Sequence, residues 1–102
     1  LPQKFSLQQN YPNPFNPKTV IRYEIPQVGV GHVVPVRLII YNVLGQAVAT
    51  PVDEPQAPGY KSVEWNAGSL PSGIYFYRLT ARLQEGSNAG GFIDTKKLLL
   101  LK

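Results

Sequence analysis

The sequence predicts an all-β fold, an antiparallel sandwich of about seven strands. Three observations predict it. Apolar and polar residues alternate at period two along several runs, the mark of a half-buried strand. Ten prolines and nine glycines punctuate these runs at fairly even spacing. No stretch carries the three-to-four spacing of an amphipathic helix. With 43% hydrophobic and 16% charged residues, the chain has the composition of a folded globule and not of a disordered tail. Its 102 residues fit one domain. That domain runs 1–102, and 1–17 supply an N-terminal strand and a proline-rich connector.

The first strand is short, Phe5 to Gln9. Tyr11-Pro12-Asn13-Pro14-Phe15-Asn16-Pro17 follows. Each proline fixes φ and lacks an N–H, which forbids a helix, and each pushes its predecessor toward an extended form. This segment reads as a stiff connector anchored on the core by Tyr11 and Phe15. The second strand is Lys18 to Ile25, with Ile21, Tyr23 and Ile25 on one face and Arg22 and Glu24 on the other. Pro26 stops it, and Gln27 to Pro35 reads as a loop. The third strand, Val36 to Val43, is the most apolar and is expected to be central. Val36, Leu38 and Ile40 form one face; Ile39, Tyr41 and Val43 partly cover the other. Leu44-Gly45 is a turn, where Gly45 can take positive φ without steric cost. Gln46 to Val52 is the fourth strand. Pro51 cannot donate to a ladder, which places that strand at an edge.

Asp53 to Gly59 reads as a loop and Tyr60 to Trp65 as the fifth strand, with Val63 and Trp65 facing one way. After the turn region Asn66 to Gly73 comes the sixth strand, Ile74 to Leu83. There Tyr75, Tyr77, Leu79, Ala81 and Leu83 alternate with Arg78, Thr80 and Arg82. Gln84 to Gly91 is a loop, and Phe92 to Leu101 is the last strand. Trp65 is expected between the two sheets.

Several function classes find no support. There is no cysteine, which excludes disulfides and thiolate metal sites. No run approaches the roughly 18 apolar residues of a membrane span. No signal peptide is visible and the chain opens on Leu1, so it reads as a processed piece of a longer protein with any export signal upstream. His32, the only histidine, cannot alone build a zinc site, which needs three or four ligands. Ser6, Ser62, Ser69, Ser72 and Ser87 have no histidine at a usable spacing. Asp53-Glu54 is the only adjacent acidic pair; in a proline-rich loop it reads as solvated charge, and it lacks a calcium loop's ligand pattern.

Gly73 and Gly90-Gly91 precede β patterns, not a lysine and a helix, so they are turn glycines and not phosphate cradles. Tyr60, Trp65, Tyr75 and Tyr77 raise the question of a platform for sugars or bases, but the last three alternate with polar residues as core residues do. The net charge is a mild +4, and half the basic residues (Arg78, Arg82, Lys96, Lys97, Lys102) lie beyond position 77. Without a basic stripe in the sequence this does not support nucleic-acid binding. Lysines on a final strand are ordinarily a solvated face that blocks edge-to-edge association. The expectation is a non-enzyme without cofactor or metal.

Five segments together resemble a known family. They are Phe5-Ser6-Leu7-Gln8-Gln9-Asn10-Tyr11-Pro12-Asn13-Pro14-Phe15-Asn16-Pro17 with Thr19 and Ile21; Val36-Arg37-Leu38-Ile39-Ile40-Tyr41-Asn42-Val43-Leu44-Gly45; Gly59-Tyr60-Lys61-Ser62-Val63-Glu64-Trp65; Pro71-Ser72-Gly73-Ile74-Tyr75-Phe76-Tyr77-Arg78-Leu79; and Lys96-Lys97-Leu98-Leu99-Leu100-Leu101-Lys102. The chain resembles the type A C-terminal sorting domain of type IX secretion substrates, found in Bacteroidetes and their relatives. It is also similar in pattern to the immunoglobulin-like domain of flagellar hook-capping proteins.

The resemblance implies an immunoglobulin-like sandwich at the C-terminus of a secreted protein, preceded by a cargo domain of unknown identity. It implies recognition by an outer-membrane translocon and removal by a sortase-like peptidase. The cargo is then released, or attached at the cell surface to an anionic lipopolysaccharide. By match, the recognition elements are Pro71, Gly73 and Tyr75, with Lys96, Lys97 and Lys102 of the terminal strand. The loop Gln27 to Pro35 and Pro51 depart from the family pattern. A second reading stays open, an accessory carbohydrate-binding or structural module of a secreted hydrolase.

Overall fold

A computed structural model describes residues 1–27, 33–82 and 91–102. These residues form seven strands: β1 (Ser6–Leu7), β2 (Lys18–Ile25), β3 (Val34–Tyr41), β4 (Ala47–Gln56), β5 (Gly59–Asn66), β6 (Gly73–Arg82) and β7 (Gly91–Leu100). They make two antiparallel sheets, β1-β2-β5 facing β4-β3-β6-β7. The all-β sandwich predicted above is the fold observed. Relative to a constant-type immunoglobulin order, the fourth strand has moved to the sheet that holds the third.

Period-two patterning decides which side chains fill the core. Ile21, Tyr23 and Ile25 of β2 meet Val36, Leu38 and Ile40 of β3 and Tyr75, Tyr77, Leu79 and Ala81 of β6, all buried. β3 lies between β4 and β6, central as expected, and β4 is an edge strand as Pro51 requires. Trp65 is 7% exposed and sits between the sheets, 5.8 Å from Phe15 and edge-on to Tyr75 at 6.3 Å.

The structure corrects several boundaries. β3 begins at Val34, inside the expected loop, because Val34 is itself a core residue. β4 continues through Asp53 to Gln56, also expected as loop. An edge strand tolerates this because its outer N–H groups have no ladder to serve. Pro35 lies directly opposite Pro55; neither can donate, so the pair occupies a non-hydrogen-bonded position. Register shifts between Leu38 and Ile40 and between Ile40 and Tyr41 absorb extra residues of β4, Pro51 among them. Arg37 faces Asp53 across this ladder at 3.4 Å, both exposed.

β1 is shorter than expected, β7 ends one residue early, and Val43 belongs to a turn instead of extending β3. The expectations for His32, Leu83, Glu85, Ser87 and Gly90 lie outside the described residues. Of the two anchors expected in the proline-rich segment, Phe15 is buried and Tyr11 is 73% exposed. Tyr11 instead bridges Val20 through its backbone, which needs no buried ring.

Tyr77 ties this segment to the core. Its hydroxyl donates to Gln8 O at 2.7 Å and accepts the Asn10 N–H at 2.9 Å. Burial pushes its pKa up to about 12, opposed by the Asn10 hydrogen bond and aided by Asp94. A raised folded pKa means this contribution is complete below the ordinary value of 10.0 and is lost as pH climbs through about 12. Tyr77→Phe is expected to cost about 1–3 kcal/mol, because two backbone groups lose a partner. Urea unfolding followed by circular dichroism measures it, and an unchanged midpoint would refute the role.

Candidate functional site

The expected recognition residues map to the turn before β6 (Pro71), the start of β6 (Gly73 and Tyr75), and β7 with its exit (Lys96, Lys97 and Lys102). β7 pairs with β6 from Gly73↔Leu100 to Arg82↔Gly91, and no described strand lies on its other side. One bond closes the turn on β6, and two from Lys102 tie the exit of β7 to the same turn. The Tyr75 hydroxyl donates to Pro71 O at 2.6 Å, the Lys102 N–H donates to Ser72 Oγ at 2.9 Å, and Lys102 Nζ donates to Gly68 O at 2.7 Å. Gly73 holds φ at +154°, a backbone conformation that side chains resist, and does so opposite Leu100. Pro71, Gly73, Tyr75 and Lys102 are thus brought together at one end of the sandwich.

Tyr75 is not a surface residue. It is 5% exposed, with its ring against Trp65 and its hydroxyl fixing the turn. Lys96 and Lys97 separate, because neighbours on a strand point to opposite faces. Lys96 shares the inward side with the buried Leu98 and Leu100, directly across from Tyr77, and is half-buried. Lys97 is exposed on the outer face opposite Phe76. Beside it opens a groove of about 210 Å³ lined by Asn13, Pro14, Ile74, Leu98 and Leu99.

The proline-rich segment forms a strap on the free edge of β7, which the sequence reading missed. The Phe15 N–H donates to Leu99 O and the Leu101 N–H to Phe15 O, both at 3.0 Å. Asn13 Oδ1 accepts the Leu99 N–H at 2.9 Å, and Gln9 Nε2 donates to Lys97 O at 2.7 Å. From Lys97 to Leu101 the edge is therefore covered, whereas Ile93 and Thr95 have no described strand paired on that side. Nothing periodic in Gln9 to Phe15 signals this role, since its partners come from the far end of the chain.

Among the described residues no group of three histidines, cysteines or acids is placed to hold a metal. Glu24 accepts hydrogen bonds from Ser6 and Gln8. Burial raises the Tyr23 hydroxyl; its hydrogen bond to Gln56 opposes this and Glu54 adds to it. Tyr60, the member of the aromatic set that was not read as core, is 72% exposed and stands apart from the other three.

A family model described as the secretion system C-terminal sorting domain matches residues 9–88. The chain belongs to that family. A sorting domain of this kind is a C-terminal signal for type IX secretion, and it implies export across the outer membrane to a secreted or cell-surface location. The matched part of this sorting domain includes Pro71, Gly73 and Tyr75 and stops before Lys96, Lys97 and Lys102. No curated protein and no solved structure matches the sorting domain. No helix among its described residues is long and apolar enough to cross a membrane.

Proposed function

We propose that this sorting domain acts without catalysis, as a folded tag in which the type IX translocon reads β7 and the Pro71–Gly73 turn together. One observation carries this reading: β7 is an edge strand, strapped from Lys97 to Leu101 and with no described strand along Ile93 to Thr95, whose exit Lys102 ties to that turn. An edge strand can be paired by a partner's backbone while its alternate side chains give specificity. Pro71, Lys97 and Lys102 supply the exposed contacts, Lys96 a half-buried charge, and Gly73 and Tyr75 hold the turn in shape. Residues 1–102 serve as one unit, because the strap at Gln9 to Phe15 is integral to the terminal edge. A sortase-like peptidase then cuts between the cargo and this unit.

Lys96→Gln, Lys97→Gln and Lys102→Gln combined test the reading with every fully buried side chain left in place. Each contact is worth about 0.5–1 kcal/mol, so export of a cargo fused upstream should fall roughly tenfold or more in a type IX host. The melting temperature of the purified domain should stay within a few degrees. Normal export by this variant would overturn the assignment of these lysines.

A further inference from the structure

We infer that the end of the sandwich formed by the β3–β4 hairpin and the exit of β7 docks on an anionic phospholipid surface. The hairpin is closed by its own hydrogen bonds. Gly45 N–H reaches Asn42 O, and Asn42 Oδ1 accepts from Leu44 N–H and Gln46 N–H, with Gly45 at φ +82°. This turn requires only Asn42 and Gly45. Val43 and Leu44 are nevertheless apolar, 67% and 79% exposed, and Leu44 is the most exposed large hydrophobic residue described. The register places more apolar surface at the same end. Tyr41 pairs with Phe76 and Gly73 with Leu100, so Ile74 and Leu101, 41% and 51% exposed, lie there too.

The net charge sorts along the same axis, because the cations of the far end (Arg22, Arg37, Lys61 and Arg82) lie among acids whereas those of this end do not. Lys97 and Lys102 flank the exit of β7. Lys18, which begins β2, is brought to this end by the Phe15–Leu100 bridge and by its pairing with Asn66. Most described acids lie toward the other end: Glu24 opposite Tyr60, Asp53 and Glu54 opposite Arg37 and Val36, and Asp94 opposite Leu79. Only Glu64, opposite Val20, belongs to the lysine half.

A rigid apolar tip ringed by lysines and poor in acids is complementary to a bilayer whose headgroups are anionic. The tip enters the acyl boundary while the ammonium groups meet phosphates. A projecting pair of side chains suits a deformable surface, whereas a protein partner would have to offer a matching pocket. A protein exported across the outer membrane meets such surfaces on its route. The inference does not depend on which residues the translocon reads.

The test is co-sedimentation of the purified domain with vesicles of phosphatidylcholine containing about one-third phosphatidylglycerol, against phosphatidylcholine alone. Binding is expected to the anionic vesicles only, and it should weaken steeply between about 0.05 M and about 0.5 M salt. Val43→Ser with Leu44→Ser should weaken it roughly tenfold or more, and Lys97→Gln about fivefold. A single tryptophan added by Leu44→Trp should shift its emission to the blue on mixing. No sedimentation, equal sedimentation with neutral vesicles, indifference to the serine pair, or an unshifted tryptophan would each overturn the inference. Absence of vesicle binding combined with failed export of the serine pair would assign the tip to a protein partner instead.

Discussion

Trp65→Ala is expected to destabilise the domain by about 3–5 kcal/mol, the range for deleting a large buried aromatic. The indole is 7% exposed and bridges the sheets through Phe15 on one side and Tyr75 on the other. A domain of this size has roughly 5–15 kcal/mol of total stability. The loss would therefore leave a protein that unfolds at low denaturant or fails to fold at physiological temperature. Two aromatic contacts vanish along with the buried area, each worth about 0.5–1.5 kcal/mol beyond it. Urea titration followed by circular dichroism gives the value directly. A loss below about 1 kcal/mol would show that the ring carries little of the core and would return it to consideration as a ligand platform.

Truncation after Thr95 is expected to abolish export of a fused cargo. The missing residues include Leu98 and Leu100, both fully buried. They also include the partners of Gly73 through Tyr77 on β6 and the backbone groups held by Phe15 and Asn13. Removing them takes away the proposed recognition strand and leaves Gly73 to Tyr77 of β6 without a ladder partner at once. Cargo reaching the medium at normal yield would count decisively against a terminal-strand signal. The lysine triple substitution separates the two losses, because it removes contacts and leaves the ladder standing.

Much of this could be read from residues alone, and the exceptions have physical causes. Strand β2 was readable because every second side chain from Ile21 to Ile25 is apolar and buried, and nothing interrupts the alternation. Edge placement of β4 agreed with Pro51, whose missing N–H is tolerated at a sheet edge, at a strand start or at a bulge. The same logic did not extend to Pro35 and Pro55, because their tolerance depends on facing each other, a fact of register and not of local propensity. Tyr11 and Phe15 are both aromatic anchors in sequence, and their divergence depends on which of them meets Trp65. On the candidate site, Gly73 and Pro71 were recognisable as a turn. Tyr75's double duty as core ring and turn clasp was not, since its partner Pro71 O is a backbone atom. That Lys96 and Lys97 part company follows from strand geometry, but which one turns inward needed the burial of Leu98 to decide.

The strap at Phe15 has a mechanical consequence. Its bridge to Leu100 is parallel, so the chain enters the bridge at one end and leaves it at the other. Tension applied between an upstream load and a captured tail pulls these two segments in opposite directions along their length. The Phe15 bonds to Leu99 and Leu101 are then strained side by side, as in a shear lap joint, instead of opening one after another like a zipper.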